Sequence, residues 1–124
     1  VKYLGRDGSR NKGISDNPKT VCWNHNSGSA AISMAANAGA KRIILLGFDM
    51  TLATSNMQHW HNLYGKGEVS DPKRLMKLPF KRHLTGFPAI ARDAKLRQIE
   101  IINASPDSAI SEFRKCTVKE LLDG

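Results

Sequence analysis

The order of strand-like and helix-like segments along this 124-residue chain predicts an α/β fold, a three-layer Rossmann-like domain with a mostly parallel sheet. The segments alternate between the two patterns in the order 19–23, 28–38, 43–46, 87–97 and 99–102. The run at 43–46 is continuously apolar, which is typical of a strand covered on both faces of a parallel sheet. A chain of this length supplies one hydrophobic core, so we expect a single domain over residues 1–124.

The N-terminal part begins with a candidate strand at 1–4 and a loop at 5–17, because Gly, Ser, Asn and Asp dominate the second range. The helix predicted at 28–38 is rich in Ala, a composition that favours helix and lets it approach a sheet closely. Gly39 follows as its C-terminal cap, because glycine readily adopts the left-handed backbone that ends a helix. The strand at 43–46 is then expected at the centre of the sheet.

The second half of the chain begins with a long polar segment at 49–83, which Pro72 and Pro79 interrupt. We predict a loop with a functional role there, because long irregular segments in compact domains usually carry function or move. The apolar residues of 87–97 recur at helical spacing, which predicts an amphipathic helix. A capping-box pattern at 117–120 predicts one more short helix near the C-terminus.

The composition is that of a globular chain. Hydrophobic residues make up 40% and charged residues 24%, and no apolar run is long enough to span a membrane. No secretory signal is visible at the N-terminus. Cys22 and Cys116 are too few for a disulfide framework, so we expect half-buried, reduced thiols and a cytoplasmic protein.

The net charge of +8 favours anionic partners, either polyanions or phosphorylated small molecules. The densest basic stretch lies at the end of the predicted loop and consists of Lys73, Arg74, Lys77, Lys81, Arg82 and His83. Phe80 is its only aromatic residue. Such a stretch is typical of a solvated loop face, and a contact with nucleic acid is the alternative.

Two polar turns are predicted to lie where a strand of the sheet leads into a helix. The first contains Asn26, Ser27, Gly28 and Ser29, and the second contains Asn103, Ser105 and Ser108. Ligands of parallel sheets bind at the carboxyl ends of the strands, and a helix N-terminus offers unpaired N–H groups and partial positive charge to an anion. The two turns therefore predict a phosphate-sized pocket for a nucleotide, although ordinary helix capping explains the same residues without a ligand.

Asp49 and two histidines are the candidate catalytic residues. Asp49 ends an apolar strand, where a carboxylate can bind a metal ion such as Mg²⁺, accept a sugar hydroxyl, or accept loop amides. His59 and His61 flank Trp60, and on an extended segment the two imidazoles share one face. That arrangement suits acid–base catalysis or metal ligation, and plain surface residues are the alternative. Trp60 either stacks on a base or sugar or anchors the loop.

Several catalytic motifs are missing from the sequence. It contains no P-loop pattern, no Gly-x-Gly-x-x-Gly pattern and no Gly-x-Ser-x-Gly nucleophile elbow. The turn at 103–108 offers amide and hydroxyl groups but no strong nucleophile. Recognition of ribose and phosphate is therefore favoured there over covalent catalysis.

The two turns and the strand between them resemble a known superfamily. The matching pieces are Asn-Ser-Gly-x-x-Ala at 26–31, Gly-Ala-Lys-Arg-Ile-Ile-Leu-Leu-Gly-Phe-Asp-Met at 39–50, His-Trp-His at 59–61, and Asn-Ala-Ser-Pro-Asp-Ser at 103–108. In order and spacing they resemble the Rossmann-like 6-hydroxymethylpterin pyrophosphokinase-like proteins and their bacteriophage relatives. They are more distantly similar to the bacterial CMP-sialic-acid sialyltransferases. The similarity covers residues 21–122, most of the chain.

The resemblance implies transfer chemistry on a nucleotide-activated substrate, in a phage-encoded protein of the bacterial cytoplasm. It implies that the nucleotide is held by Ser27, Gly28, Asn103, Ser105 and Ser108, and that His59 or His61 acts as general base. The N-terminal unit of the superfamily, with its Gly-rich first turn, has no counterpart here. The chain thus resembles the C-terminal part of that fold, or a minimal version of it. Met50 stands where the sialyltransferases have Tyr.

These observations lead to two hypotheses about function. The first is a nucleotide- or nucleotide-sugar-binding domain of transferase type, for glycosyl or pyrophosphoryl transfer. The alternative is a non-enzymatic phage accessory protein that binds nucleic acid or a host protein through its basic surface. A third interpretation is a fragment that needs its other half.

Overall fold

A computed structural model of the protein describes residues 4–9, 11–51 and 79–124, which form a mixed α/β structure with two short parallel sheets. In chain order the elements are β1 (Gly5–Asp7), β2 (Thr20–Cys22), α1 (Ser27–Asn37), β3 (Arg42–Leu45), α2 (Phe80–Leu84), α3 (Phe87–Leu96), β4 (Glu100–Asn103), β5 (Arg114–Lys115) and α4 (Val118–Asp123). The α/β class and the parallel pairing confirm the coarse prediction. The three-layer Rossmann-like arrangement stays a prediction.

The two sheets differ in size and are both parallel. β1 pairs with β2, so that Arg6 lies opposite Val21. The second sheet has the order β3-β4-β5, with Ile43 opposite Ile101 and Asn103 opposite Lys115. Because all the strands of a sheet run in the same direction, their carboxyl ends meet at one edge, where ligands of parallel sheets bind.

Both ends of α1 carry the capping features that the sequence predicts. The Oδ1 atom of Asn26 accepts a hydrogen bond from the backbone N–H of Ser29 at 2.8 Å. At the other end Gly39 has a φ of +95°, and its N–H donates to the carbonyl of Ala36. The N–H of Ala40 donates to the carbonyl of Ala35, which completes a Schellman motif. The predicted helix at 28–38 is confirmed as Ser27–Asn37.

The core lies where α1 and α3 pack against the sheets. Phe87, Ile90 and Ala94 share one buried face of α3, which confirms the helical spacing predicted at 87–97. The ring of Phe87 meets that of Phe113 edge-to-face, with 6.1 Å between centroids. Within the described ranges, no helix has both the length and the apolar character needed to cross a membrane.

The prediction that 43–46 is a central strand covered on both faces is wrong. Ile43 and Leu45 are buried, but Ile44 is 46% exposed and Leu46 is 64% exposed. In the described sheet β3 is an edge strand and β4 is the central one, with three consecutive buried residues at 101–103. The apolar run at 43–46 therefore contains a half-covered strand, and the covered strand is β4.

Short elements account for the other differences from the sequence prediction. β1 forms inside the segment 5–17 predicted as a loop, because parallel pairing with β2 fixes its backbone. Helix α2 forms at the end of the predicted loop 49–83. β5 is only two residues long, and no periodicity predicted it. The capping box at 117–120 is confirmed as the start of α4, and residues 52–78 lie outside the described part of the chain.

The carboxylate of Asp93 joins the N-terminal loop to α3. Its Oδ2 atom accepts hydrogen bonds from the backbone N–H groups of Gly13 at 2.7 Å and Ile14 at 3.1 Å. Ile14 is fully buried behind this contact. Gly13 lies directly on α3, since an added Cβ would come within 2.1 Å of the backbone nitrogen of Ile90. No other residue type fits at Gly13 without moving one of the two segments.

Asp93 makes the stability of the fold depend on pH. Burial by itself raises the pKa of this carboxyl, but the hydrogen bonds from Ile14, Arg92 and Gly13 outweigh burial and lower the pKa below its ordinary value of 3.8. A lowered pKa in the folded state means that the contribution to stability is complete above the unfolded value. It is lost as the pH falls through the folded value.

Replacing Asp93 with Asn tests this contact. We expect Asp93→Asn to lower the free energy of unfolding at neutral pH by about 1–3 kcal/mol, because the charged acceptor of two backbone amides is lost. We also expect the variant to lose less stability than the parent protein when the pH falls from about 5 to about 3. Urea titrations across this range measure both effects. Asp107→Asn, at an exposed carboxyl, is the control, and an unchanged pH dependence in Asp93→Asn would contradict the assignment.

Candidate functional site

The two polar turns predicted from the sequence meet at the segment that follows β3. A Cβ added to Gly28 would lie 2.6 Å from Cε1 of Phe48, so the first turn of α1 rests on that ring. The hydroxyl of Ser108 donates to the carbonyl of Phe48 at 2.5 Å, and the N–H of Ala109 donates to the carbonyl of Asp49 at 2.8 Å. The structure thus brings both turns to one place, at the carboxyl end of the second sheet.

The first turn of α1 has donors that the fold does not use. Asn26 is buried and serves as the N-cap, and its Nδ2 atom donates to the carbonyl of Asn24 at 3.2 Å. Ser27 is exposed, Gly28 is half-buried, and no acceptor in the described structure receives their backbone N–H groups. The hydroxyl of Ser29 is fully buried and has no hydrogen-bond partner there either. Capping therefore accounts for Asn26 but leaves three donors of this turn unused.

The prediction that the second turn starts a helix is wrong, because β4 leads through this turn to β5 and the next helix begins only at Val118. The turn is held by its own side chains. Asn103 is fully buried, and its Oδ1 atom accepts the N–H of Ser105 at 3.1 Å. The Nδ2 atom of Asn103 has no partner among the described residues. The hydroxyl of Ser108 also accepts the N–H of Ile110 at 3.1 Å. Asn103 and Ser108 thus shape the turn, while the half-buried Ser105 has no bond from its hydroxyl to the described residues.

Lys115 adds a positive charge to the second turn that the sequence analysis did not identify. Its ammonium group donates to the carbonyl of Ser108. Lys115 ends β5, which pairs with β4 opposite Asn103. Since β5 carries no sequence signal of its own, only the pairing reveals that this lysine belongs to the site.

Of the predicted catalytic residues, Asp49 is among those that the structure describes, whereas His59 and His61 are not. Asp49 is exposed, and its backbone carbonyl is bonded to Ala109 at the meeting point of the two turns. His59, Trp60 and His61 lie outside the described residues, so their roles stay predictions.

The part of the chain that the structure describes offers few side chains that could bind a metal ion. No cluster of three or more His, Cys, Asp or Glu side chains occurs there. Of the site residues predicted from the sequence, Asp49 is the one with a carboxylate at the meeting point of the two turns. A Mg²⁺ ion at this place would need further oxygen ligands from a bound phosphate or from water, as is usual for Mg²⁺.

The two cysteines are buried and free, which is deeper than the half-buried position expected from the sequence. Burial raises the pKa of the Cys22 thiol to about 11, and the nearby carboxylates of Asp7 and Asp93 act in the same direction. A thiol with such a pKa stays protonated at neutral pH and is a poor nucleophile.

A cleft at the carboxyl ends of β1 and β2 lies beside the first turn of α1, and we call it the Trp23 cleft. It has a volume of about 570 Å³ and is lined by Arg6, Asp7, Trp23, His25 and Arg82, together with smaller residues. The guanidinium of Arg6 lies 4.8 Å from the centroid of the Trp23 ring. The sequence analysis noted Arg82 but not this cleft, because its lining comes from three separated segments.

α2 contributes Arg82 to the wall of the Trp23 cleft, and His83 follows it in the same helix. The pKa of His83 is lowered first by burial and then by the positive charges of Arg82 and His25. Neither Arg6 nor Arg82 forms an ion pair with a carboxylate in the described residues. The cleft therefore has an unpaired positive charge.

The backbone is left-handed at several residues around these sites. Asn24 and His25 have φ values of 43° and 65°, and the N–H of Asn26 closes their turn by donating to the carbonyl of Trp23. Met50, after Asp49, has a φ of 53°. Such backbone costs free energy in residues other than glycine, and it tends to occur at functional sites.

The unpaired hydroxyl of Ser29 can be tested against a matched serine of the same helix. Ser33 is also fully buried, but its Oγ atom accepts the N–H groups of Ser15 at 3.0 Å and Cys22 at 3.4 Å. We expect Ser29→Ala to leave the free energy of unfolding unchanged or to raise it by up to about 1 kcal/mol, because it removes a buried group without a partner. Ser33→Ala should lower it by about 1–3 kcal/mol, because two buried amides lose their acceptor.

Chemical denaturation of the two variants measures this difference. A loss of stability in Ser29→Ala as large as that in Ser33→Ala would show that the Ser29 hydroxyl has a structural partner in the free protein.

Comparison with known proteins adds no relative to this description. No protein-family model, no curated protein and no solved structure matches the chain. The resemblance described from the motifs therefore stays a prediction.

Proposed function

We propose that this chain is a nucleotide- or nucleotide-sugar-binding domain of transferase type. The observation that carries the proposal is the meeting of two polar turns on the Phe48–Asp49 segment, at the carboxyl end of parallel strands. This edge is where open parallel sheets bind nucleotides, because loops and helix starts converge there. The unused donors of both turns supply the chemistry that such a ligand requires.

The first turn of α1 is suited to the phosphates. The N–H groups of Ser27 and Gly28 point out of the helix without acceptors in the described structure, and the helix dipole favours an anion at this end. No acidic residue occurs in the first turn, so nothing on the helix repels a phosphate. The ammonium group of Lys115 and the net charge of +8 act in the same direction.

The second turn is suited to hydroxyl groups. The hydroxyl of the half-buried Ser105 has no bond to the described residues, and a ribose presents hydroxyls that can accept and donate. Asp49 lies between the two turns and can accept a further hydroxyl or share a Mg²⁺ ion with the phosphates.

The proposed transfer step is a direct displacement at the activated carbon or phosphorus. His59 or His61 takes the proton of the acceptor hydroxyl, the oxygen forms the new bond, and the nucleotide leaves with the electrons of the broken bond. The two turns stabilise the negative charge that the leaving phosphate gains. This step is carried by the resemblance and by the residue types, since both histidines lie outside the described residues.

The alternative function, binding of nucleic acid or a host protein, draws on the exposed side chains of Lys81 and Arg82 on α2. A strand of nucleic acid contacts several cations along its backbone, so its affinity falls steeply with salt. The same measurements that test nucleotide binding distinguish this alternative.

A charge placed at Ser27 tests the proposed site without harming the helix. Thermal-shift measurements with CMP, CDP, UDP, GDP and ATP, with and without Mg²⁺, identify a stabilising nucleotide for the parent protein. We expect Ser27→Asp to weaken its binding by about tenfold or more, because the carboxylate repels the phosphates at the first turn. The same carboxylate should keep or slightly raise the stability of the free protein, because acidic residues favour a helix N-terminus.

Ser27→Asn is the matched control, since it has nearly the same size as Asp and no charge, and it should keep the thermal shift. The proposal fails if none of the nucleotides shifts the melting temperature. It also fails if DNA binds with a steep salt dependence while mononucleotides do not bind.

A further inference from the structure

The Trp23 cleft combines a planar aromatic surface with two cations, Arg6 and Arg82, that form no ion pair with the described carboxylates. Trp23 is 37% exposed, which leaves much of a large apolar ring in contact with solvent. The volume of about 570 Å³ lies within the roughly 300–1,000 Å³ that small-molecule sites occupy. A ligand that matches this lining has a flat ring and a negative charge.

The cleft keeps a net positive charge although Asp7 also lines it, because the guanidiniums of Arg6 and Arg82 outnumber this one carboxylate. One oxygen of Asp7 accepts the N–H of Ser9 at 2.9 Å, and the other accepts the hydroxyl of Ser15 at 3.2 Å. Asp7 is thereby committed to the loop that follows β1. Arg6 and Arg82, which pair with none of the described carboxylates, remain for an anionic ligand.

Arg6 occupies the face of Trp23 that a ligand ring would take. The guanidinium lies 4.8 Å from the ring centroid, and a cation–π contact at an exposed site is weaker than the stacking of a nucleobase on an aromatic side chain. A base can therefore replace the guanidinium on the ring. The released guanidinium is then free to pair with a phosphate of the same ligand.

The turn between β2 and α1 connects the cleft to the first turn of the helix. The hydrogen bond from the N–H of Asn26 to the carbonyl of Trp23 closes a β-turn, and such a turn holds its first and last Cα atoms within about 7 Å. The turn is packed firmly, because a Cβ added to Gly86 would lie 2.5 Å from Cβ of Asn24. Trp23 thus lies one tight turn before the N-terminus of α1.

We propose that the Trp23 cleft binds the base of the nucleotide, with the base stacked on Trp23 and the phosphates paired with Arg6, Arg82 and the first turn of α1. This inference rests on the proposed function, since it names the residues that receive the base. It also assigns Arg6 two states, on the ring in the free protein and on the phosphate in the complex.

Fluorescence of Trp23 reports on the base directly. The chain has two tryptophans, so Trp60→Phe leaves Trp23 as the only indole emitter. We expect the nucleotides of the thermal-shift panel to change its emission with saturation and inorganic phosphate alone to leave it unchanged. Arg82→Ala in the same background should raise the Kd by about tenfold, as the loss of one charge-assisted hydrogen bond implies.

Arg42→Ala is the control for a lost positive charge, because Arg42 begins β3 and is exposed in an ion pair with Glu100, away from the carboxyl ends. It should leave the Kd unchanged. A Kd that Arg82→Ala does not alter overturns the inference, as does a change in emission that phosphate alone produces.

The outcomes also separate the inference from the proposed function. A nucleotide that raises the melting temperature without changing Trp23 emission overturns only the inference. A change in emission that Ser27→Asp does not weaken supports stacking of the base on Trp23, and it contradicts the first turn of α1 as a phosphate site in the proposed function and in the inference alike. A change produced by an oligonucleotide, with none from mononucleotides, overturns the inference in favour of nucleic acid.

Discussion

The hydrogen bonds from the backbone of Gly13 and Ile14 to the carboxylate of Asp93 set the position of the N-terminal loop, on which the packing of the described structure depends. They fix the loop between β1 and β2 on α3, with Ile14 buried beneath it. Ser15 follows directly and donates its N–H to the hydroxyl of Ser33, so the same loop is also bound to α1. The guanidinium of Arg97, at the end of α3, also donates to the carbonyls of Ile14 and Ser15, so Asp93 and Arg97 together hold the loop on this helix.

Local signals made α1, α3 and α4 predictable, whereas α2 and the short strands β1 and β5 have no such signal. Asn26 and Gly39 cap α1 through bonds to residues close in sequence, so their types alone indicate where the helix begins and ends. β1 and β5 exist only through pairing with distant strands, which local composition does not express. The prediction that the strand at 43–46 is covered on both faces was wrong for the same reason, since the exposure of Ile44 depends on which distant segments pack around the strand.

The residues of the candidate site likewise differ in whether the sequence alone could predict them. The two turns were predictable because polar residues after apolar strands indicate the carboxyl edge of a parallel sheet. Lys115 and the Trp23 cleft were not, because both depend on tertiary placement: Lys115 on the pairing of β5, and the cleft on Arg6, Trp23 and Arg82 from three segments. An aromatic residue at the end of a short strand is usually a core residue, so Trp23 gave no signal until its exposure was seen.

Ordinary capping and a ligand site make different demands on the same residues. The Oδ1 atom of Asn26 caps α1 and the Oδ1 atom of Asn103 shapes the second turn, so both are used within the described structure. Neither role uses the buried hydroxyl of Ser29 or the Nδ2 atom of Asn103, which lack partners there. The left-handed backbone of Asn24, His25 and Met50 adds strain at the same edge. Both features lower the stability of the free fold, and the proposed ligand can recover free energy only through groups that it can reach, such as the N–H of the exposed Ser27 and the hydroxyl of the half-buried Ser105.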